Sequence, residues 1–210
     1  MANKPINLNK PLKVKYNLVS KLYDLLDCPF EIFRYKKIRQ TVWKSCTGRI
    51  LDAGIGTGRN IPFYPKNSKV YGIDISEGMI AKASKRAEKL NRKVKISKYD
   101  MIHTNFPDNF FDTVVATFLF CVMPDKLKQK ALKEIKRICK TNGKIILLEY
   151  EYSKKTVRKL FMKFLTPYVD FMYGARFDRR TIEAIRNEKL KIVYDKYVYQ
   201  DIIRMIVLKP

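Results

Sequence analysis

The segment 50–58 constrains the fold of this chain more strongly than any other. An apolar run ends on an acid, Asp52, and is followed by three glycines at alternate positions, Gly54, Gly56 and Gly58. A strand that turns through a tight loop into a helix has this pattern, and a glycine loop allows a ligand to approach the backbone closely. We therefore predict a ligand-binding strand, loop and helix at this position.

A second apolar segment, 69–73, also ends on an acid, Asp74. The two acids are separated by about 20 positions, the spacing at which a doubly wound sheet presents an acid to the hydroxyls of a ribose. The alternative is that Asp74 caps the next helix together with Ser76. The spacing favours a nucleoside-binding site.

The spacing of the glycines distinguishes between nucleoside cofactors. The dinucleotide fingerprint needs a glycine three positions after the second one, and Arg59 stands there instead. The observed pattern, acid-x-Gly-x-Gly-x-Gly with a second acid downstream, resembles the first two motifs of the class I S-adenosylmethionine (SAM)-dependent methyltransferases. The resemblance implies that the glycine loop lies against the methionine portion of SAM and that Asp74 binds both ribose hydroxyls.

A third acid, Asp100, follows the segment 94–97, which we predict to be the third strand. In the family, the acid at this place accepts the exocyclic amine of adenine, and Met101 is then expected against the ring. The alternative role of Asp100 is a turn cap, and Asp52 is either a structural loop acid or a water-mediated contact of the cofactor. The full set expected to bind SAM is Asp52, Gly54, Gly56, Gly58, Asp74, Ile75, Met79, Asp100, Met101 and Phe118.

The order of elements predicts an α/β fold with one catalytic domain. Apolar segments alternate with amphipathic helical ones, and the last two segments, 190–199 and 201–208, read as an antiparallel pair. The resemblance implies a Rossmann-like doubly wound sheet in the order 3-2-1-4-5-7-6, mostly parallel with one antiparallel edge strand. We expect a basic flexible arm over 1–15, a cap of amphipathic helices over 16–48, and the methyltransferase core over 49–210 with a substrate-side helical insertion at about 153–177.

Longer motifs indicate a branch of the family. The segments 51–65, 72–79 and 111–121 and the Leu-Leu-Glu of 147–149 resemble the branch that contains bacterial phospholipid N-methyltransferases and quinone C-methyltransferases. This resemblance implies methylation of a phospholipid amine such as phosphatidylethanolamine at a membrane surface. C-methylation of a lipid quinone precursor is the alternative.

Aromatic residues are the candidates for positioning the methyl acceptor, because their rings and hydroxyls can hold an amine or ammonium group. The expected residues are Tyr16, Tyr23 and Tyr150, and Tyr173 is a further candidate. Many relatives have His at the position of Tyr150. We therefore assign no proton transfer to that position.

The charge of the chain bears on its partners. With 44 basic and 20 acidic residues, the formal net charge is +24, which concentrates anions such as an anionic membrane or a nucleic acid near the surface. The segments 16–26 and 154–164 combine apolar and basic faces as interfacial helices do, although both could pack on the core with solvated lysines. We expect a cytoplasmic protein that associates peripherally with the membrane.

Other classes of function are disfavoured or left as alternatives. An RNA methyltransferase or a basic nucleic-acid-binding protein is one alternative, although the Asn/Asp-Pro-Pro-aromatic box of amino-methylating enzymes is absent after Phe118. A SAM-binding protein without turnover is another. Four scattered cysteines and one histidine, His103, argue against a metal site or a disulfide framework, and we expect Cys121 to be a packing residue. Neither a secretory leader nor a membrane-spanning run is predicted.

Overall fold

The computed structural model describes residues 35–177 and 181–210. The predicted basic arm over 1–15 and the part of the predicted helical cap before residue 35, which includes the segment 16–26, lie outside these residues. The candidate acceptor residues Tyr16 and Tyr23 lie outside them as well, as does the side chain of Tyr173.

Seven strands form one sheet in the order β3-β2-β1-β4-β5-β7-β6, which confirms the predicted fold class and strand order. The first five strands run parallel to one another, and β7 is antiparallel to both of its neighbours. The two edge strands are β3 and β6. The strands are β1 Arg49–Ala53, β2 Lys69–Asp74, β3 Val94–Lys98, β4 Phe111–Thr117, β5 Cys139–Tyr150, β6 Lys191–Tyr199 and β7 Ile203–Lys209.

Helices lie on both faces of the sheet. They are α1 Lys36–Lys44, α2 Glu77–Lys89, α3 Asp125–Ile138, α4 Thr156–Tyr173 and α5 Thr181–Asn187, with a short 3-10 helix over Ile61–Phe63. Ser76 caps α2 as predicted, because its Oγ accepts a hydrogen bond from the backbone N–H of Met79 at 3.2 Å. Gly174 adopts the left-handed conformation that ends α4.

The central strands are buried on both faces, which explains their continuous apolar sequences. On one face Leu51, Val114 and Leu147 pack with α3, and on the other Ile50 and Val115 pack with α1 and α2. Trp43, in α1, is wholly buried on this second face of the sheet. The central strands are therefore enclosed, and their carboxyl ends are the edge at which such a sheet binds ligands.

The first part of β5 is irregular. The strand begins at Cys139, but its pairing with β4 shifts register between Phe111 and Thr113 and becomes regular only at Lys144, just after Asn142-Gly143, a sequence typical of turns. A Cβ at Gly143 would lie 2.8 Å from Cys139 Sγ, so the chain turns back on itself here and glycine permits the close approach.

No helix within the residues described above is long and apolar enough to cross a membrane.

Candidate active site

The carboxyl ends of β1, β2, β3 and β4 border a cavity of about 890 Å³. Doubly wound sheets bind their ligands at this edge, at the point where the strand order reverses. Most of the predicted cofactor residues border the cavity, namely Gly54, Gly56, Asp74, Ile75, Met79, Asp100, Met101 and Phe118.

The glycine loop presents backbone rather than side chains to the cavity. Gly54 and Gly56 have φ values of 74° and 56°, in the left-handed region that favours glycine. The N–H groups of Gly54 and Ile55 both donate to the carbonyl of Ile73 at 2.9 Å, which fixes the loop to the end of β2. A Cβ at Gly56 would meet no atom within 4 Å. The loop is thus held open toward a ligand.

Asp74 joins the glycine loop to the start of α2. Its Oδ2 accepts the N–H of Gly56 at 3.0 Å, and its Oδ1 accepts the N–H of Ser76 at 2.9 Å. Burial raises the pKa of Asp74, and these backbone donors act in the opposite direction. The contact with Ser76 is the capping role considered above, but each carboxylate oxygen can accept a second hydrogen bond, so this role leaves acceptor capacity for a ligand.

The residues predicted from the sequence to contact adenine also border the cavity. Asp100 Oδ1 accepts the N–H of Ile102 at 3.1 Å, a turn contact, while Asp100 and Met101 both border the cavity. Phe118 follows β4 with a φ of 57°, uncommon for a residue with a side chain. Its N–H donates to the carbonyl of Leu148 at 2.7 Å, which holds this backbone in place. Backbone strain of this kind is often found at functional sites.

Two predicted cofactor residues, Asp52 and Gly58, do not border the cavity. Asp52 is fully buried behind the loop, where its carboxylate accepts hydrogen bonds from Tyr64 Oη at 2.5 Å and from Asn60 Nδ2 at 3.0 Å. Burial raises the pKa of Asp52 to about 6, although both hydrogen bonds lower it. A Cβ at Gly58 would lie 3.1 Å from the Ala83 Cα, so this glycine allows the loop to pack on α2.

The buried network around Asp52 extends to α1 and β4. Asn60 Nδ2 also donates to Thr117 Oγ1 at 3.0 Å, and Asn60 Oδ1 accepts a hydrogen bond from Arg39 Nη1 at 2.6 Å. Arg39, Asn60 and Thr117 are buried, yet each also contributes to the lining of the cavity. The network therefore connects the glycine loop, α1 and the end of β4 into one support for the site.

An aromatic wall lies beside the glycine loop and is formed by Tyr35, Phe118, Tyr150 and Phe177. Phe118 and Tyr150 stack with ring centroids 4.7 Å apart, and Tyr150 meets Phe177 edge-on at 5.5 Å. The phenol groups of Tyr35 and Tyr150 are hydrogen-bonded to each other. Tyr150 is the one predicted acceptor residue whose side chain is described, and it borders the cavity.

Sequence reasoning missed Tyr35, Arg39, Asn60 and Phe177. Tyr35 and Arg39 are four residues apart at the start of α1, so one face of that helix brings both to the cavity. That spacing was a usable signal, because Arg39 interrupts an otherwise apolar helix face. Phe177 follows α4 in irregular backbone, and no pattern in the sequence indicates its position.

A buried acid, Glu149, holds the loop that follows β4. Its Oε1 accepts the N–H of Phe120 at 3.0 Å. Burial raises the pKa of Glu149, and the Phe120 N–H and the charge of Lys128 act against that shift. Cys121 is buried in the same loop, and its Sγ donates to the carbonyl of Phe118 at 3.2 Å. Among residues 35–177 and 181–210, no cluster of three or more His, Cys, Asp or Glu side chains could hold a metal ion.

Comparison with known proteins agrees with this geometry. A family model described as "Methyltransferase domain" matches residues 50–143, from β1 into β5. A phosphatidylethanolamine N-methyltransferase of Cereibacter sphaeroides is 34% identical over 105 residues, which are 49% of this chain and 51% of the relative. The aligned segment thus spans about half the length of that relative.

A longer alignment relates the chain to a demethylmenaquinone methyltransferase of Staphylococcus aureus (strain JH9), with 31% identity over 179 residues. It covers 80% of this chain and 73% of that protein. The crystal structure of a SAM-dependent methyltransferase from Aquifex aeolicus has the same fold, with a TM-score of 0.67, 20% identity, and coverage of 92% of this chain and 97% of that one.

Fold and site together define an α/β enzyme that transfers a group from a nucleoside-bearing donor. The chain belongs to the SAM-dependent methyltransferases, and SAM is its cofactor. The residues at the cavity fit this cofactor. Gly56 leaves backbone accessible where a side chain would project, Asp74 offers carboxylate oxygens for hydroxyl groups, and Met79 and Met101 supply apolar surface.

Proposed function

We propose that this methyltransferase N-methylates the amine head group of a phospholipid of the phosphatidylethanolamine type, at the surface of an anionic membrane. The aromatic wall beside the glycine loop carries the proposal. Amine methylation produces a more substituted ammonium group, and aromatic faces attract such cations. The name of the Cereibacter sphaeroides relative supports the same acceptor class.

SAM supplies a methyl group on a sulfonium, whose carbon–sulfur bond breaks as the bond to the acceptor forms, leaving S-adenosylhomocysteine. The protein's task is then to orient the acceptor and exclude water, since an in-line displacement needs little else. The hydroxyl oxygens of Tyr35 and Tyr150 can accept hydrogen bonds from an amine, and the rings of Phe118 and Phe177 shield it from water. The amine must be unprotonated to react, and the proton passes to solvent.

The proposed cofactor contacts follow from the cavity. Asp74 would accept the ribose hydroxyls, Asp100 and Met101 would hold the adenine, and the backbone of Gly54 and Gly56 would lie against the methionine portion. Asp52 would act from behind the loop by holding Asn60 and Tyr64. The helix α4 would form the substrate side of the domain, as expected for the insertion at about 153–177.

A second candidate function is C-methylation of a lipid quinone precursor. It is favoured by the alignment to the Staphylococcus aureus demethylmenaquinone methyltransferase, which covers more of the chain. One feature of the cavity also fits it. The Arg39 guanidinium lies 5.7 Å from the Phe118 ring centroid, where a cation would favour the ionised form of a phenolic ring.

The test is incubation of the full chain with methyl-labelled SAM and three acceptors in separate reactions: phosphatidylethanolamine in mixed micelles, a demethylated naphthoquinol, and total RNA. We expect label in the phosphatidylethanolamine product on chromatography. Label in the quinol or the RNA instead would replace the proposed acceptor. Asp74→Asn serves as the inactive variant, and Glu77→Gln, an exposed acid three residues away, as the matched control that retains activity.

A further inference from the structure

Helix α4 exposes most of the large apolar side chains found on the surface of the described protein. We call these six residues the apolar stripe; their exposed fractions lie between 56% and 84%, and they are Val157, Leu160, Phe161, Phe164, Tyr168 and Phe171. Their spacing of three or four residues places them on one face of the helix. A contiguous apolar surface of this kind marks a site of association rather than a solvated face.

The adjacent side of the same helix borders the active-site cavity. Arg158, Met162, Leu165 and Val169 line the cavity, and Met162 is the one buried side chain among those described for α4. Phe161 and Tyr168 belong to both sets, because they line the cavity and are also 61% and 56% exposed. The apolar stripe is therefore continuous with the interior of the cavity along one edge of the helix.

Basic residues accompany the apolar stripe. Lys154 and Lys155 precede α4, the exposed Lys163 lies near one edge of the apolar stripe, the exposed Lys159 lies farther round the helix, and the helix contains no acid before Asp170. An apolar face flanked by basic side chains binds anionic lipid surfaces, because apolar burial and charge attraction act together. A neutral or basic partner would not benefit from these lysines.

Hydrogen bonds hold both ends of the helix to the rest of the domain. At its start, Asp201 accepts the N–H of Lys154 at 2.8 Å and Ser153 Oγ at 2.6 Å, and it also pairs with Arg158. Beyond its end, the N–H of Arg176 donates to the carbonyl of Cys121 at 2.9 Å. These contacts anchor both ends of α4 beside the cavity.

We infer that α4 lies in the interface of an anionic bilayer with the apolar stripe inserted, and that Phe161 and Tyr168 flank the opening through which the acyl-bearing acceptor enters the cavity. The inference rests on the proposed function in taking the acceptor to be a lipid. It goes beyond that proposal by assigning the membrane contact to one helix of the catalytic domain. It also predicts that membrane docking and acceptor entry share residues.

The first test is flotation of the full chain with vesicles. Wild-type protein is compared with the double variant Leu160→Asp/Phe164→Asp on vesicles of phosphatidylethanolamine with phosphatidylglycerol and on vesicles of phosphatidylcholine alone. We expect wild-type protein to float with the anionic vesicles and the variant to bind them at least ~10-fold more weakly. Equal flotation of the two proteins would overturn the inference, as would binding that does not depend on anionic lipid.

The matched control is Leu90→Asp/Val193→Asp, which places the same charges at exposed apolar positions outside α4. It should float like wild type, and loss of flotation in this control would contradict a specific role of α4. Circular dichroism and calorimetric binding of S-adenosylhomocysteine verify that each variant is folded. If Leu160→Asp/Phe164→Asp instead changes only the oligomeric state, the apolar stripe binds a second copy and the inference is wrong.

A short-chain, water-soluble phosphatidylethanolamine below its micelle concentration separates this inference from the proposed function. Leu160 and Phe164 do not border the cavity, so the double variant should methylate this acceptor within ~2-fold of wild type while losing activity on vesicles. If wild type floats but methylates no such acceptor, the proposed function fails and the docking surface stands. If wild type methylates it but does not float, the docking surface fails alone.

A spectroscopic reporter gives an independent readout. The chain has a single tryptophan, Trp43, which is fully buried, so Phe164→Trp adds the one reporter on α4. With anionic vesicles we expect a blue shift of its emission and quenching by brominated acyl chains. Emission that does not change on addition of vesicles would place Phe164 outside the membrane and contradict the inference.

Discussion

The phenol of Tyr64 donates a 2.5 Å hydrogen bond to the carboxylate of Asp52, and neither side chain reaches the cavity. The contact joins the end of β1 to the segment that follows the glycine loop. Asn60 binds both oxygens of the same carboxylate at 3.0 Å. The acid that opens the cofactor motif therefore supports the loop from behind, through a buried network that can be tested by substitution.

Asn60→Ala should destabilise the protein by ~1–3 kcal/mol, because it leaves the buried carboxylate of Asp52 and the guanidinium of Arg39 short of partners. Urea denaturation measures the change in the free energy of unfolding. Asn105→Ala, at an exposed position, is the matched control and should change stability by less than ~0.5 kcal/mol. Equal effects of the two substitutions would show that the network contributes no stability.

Asp52 should give stability a specific pH dependence. Its pKa is about 6 in the folded state, raised chiefly by burial, and is expected near ~4 in the unfolded chain. Between these two pH values the folded state binds more protons than the unfolded chain does. The stabilisation that Asp52 provides through this proton uptake is therefore complete below about pH 4 and is lost as the pH rises through about 6.

Asp52→Asn removes that titration. Relative to the variant, wild type should therefore lose on the order of 2–3 kcal/mol of unfolding free energy between pH 4 and pH 7. Urea titrations of both proteins at four pH values measure this difference, and other titrating groups cancel in the comparison. A difference that grows in favour of wild type with rising pH would contradict the assignment.

Two glycines of the loop, Gly56 and Gly58, should respond differently to an added methyl group. Gly56 has a positive φ and open space at its Cβ position, so Gly56→Ala should weaken SAM binding more than it weakens folding. Gly58→Ala would bring a Cβ to 2.6 Å from Ile61 Cδ1 and 3.1 Å from Ala83 Cα, so its main effect should be on stability. Both also incur the left-handed backbone penalty of ~1–2 kcal/mol.

Calorimetry with S-adenosylhomocysteine and thermal unfolding of both variants provide the measurements. A larger binding defect in Gly58→Ala than in Gly56→Ala, at temperatures where both are folded, would reverse the assignment of the two glycines.

Tyr150→Phe keeps the ring that stacks on Phe118 and removes the hydroxyl that binds Tyr35. If the phenol pair positions the acceptor, kcat/KM for the lipid acceptor should fall ~10-fold while the affinity for SAM is unchanged. A ~10-fold fall corresponds to ~1.4 kcal/mol, the free energy expected for one lost hydrogen bond. Steady-state kinetics in mixed micelles measure the first quantity and calorimetry the second. Tyr152→Phe, whose hydroxyl contacts Thr166, is the control on the same segment. A defect in SAM affinity instead would assign Tyr150 to the cofactor side.

Sequence reasoning found the glycine loop and the strand-end acids at the cavity because their information is local. Short segments of the sequence contain the glycines that must adopt positive φ and the acids that end the strands. The parallel sheet brings those strand ends to one edge. Gly54, Gly56, Asp74 and Asp100 were found in this way, and all four border the cavity. The aromatic wall was predicted only at Tyr150, because Tyr35 and Phe177 come from distant parts of the chain.

From the sequence alone, hydrophobic period and motif spacing predicted the α/β class, because such patterns act over a few residues, and the resemblance that the motifs carry implied the strand order and the cofactor. Only the tertiary structure decided that Asp52 lies behind the loop and that one helix has a cavity-lining side and an exposed apolar side. The physical reason is that burial depends on what packs above each side chain, and contacts between residues far apart in the chain leave no local pattern.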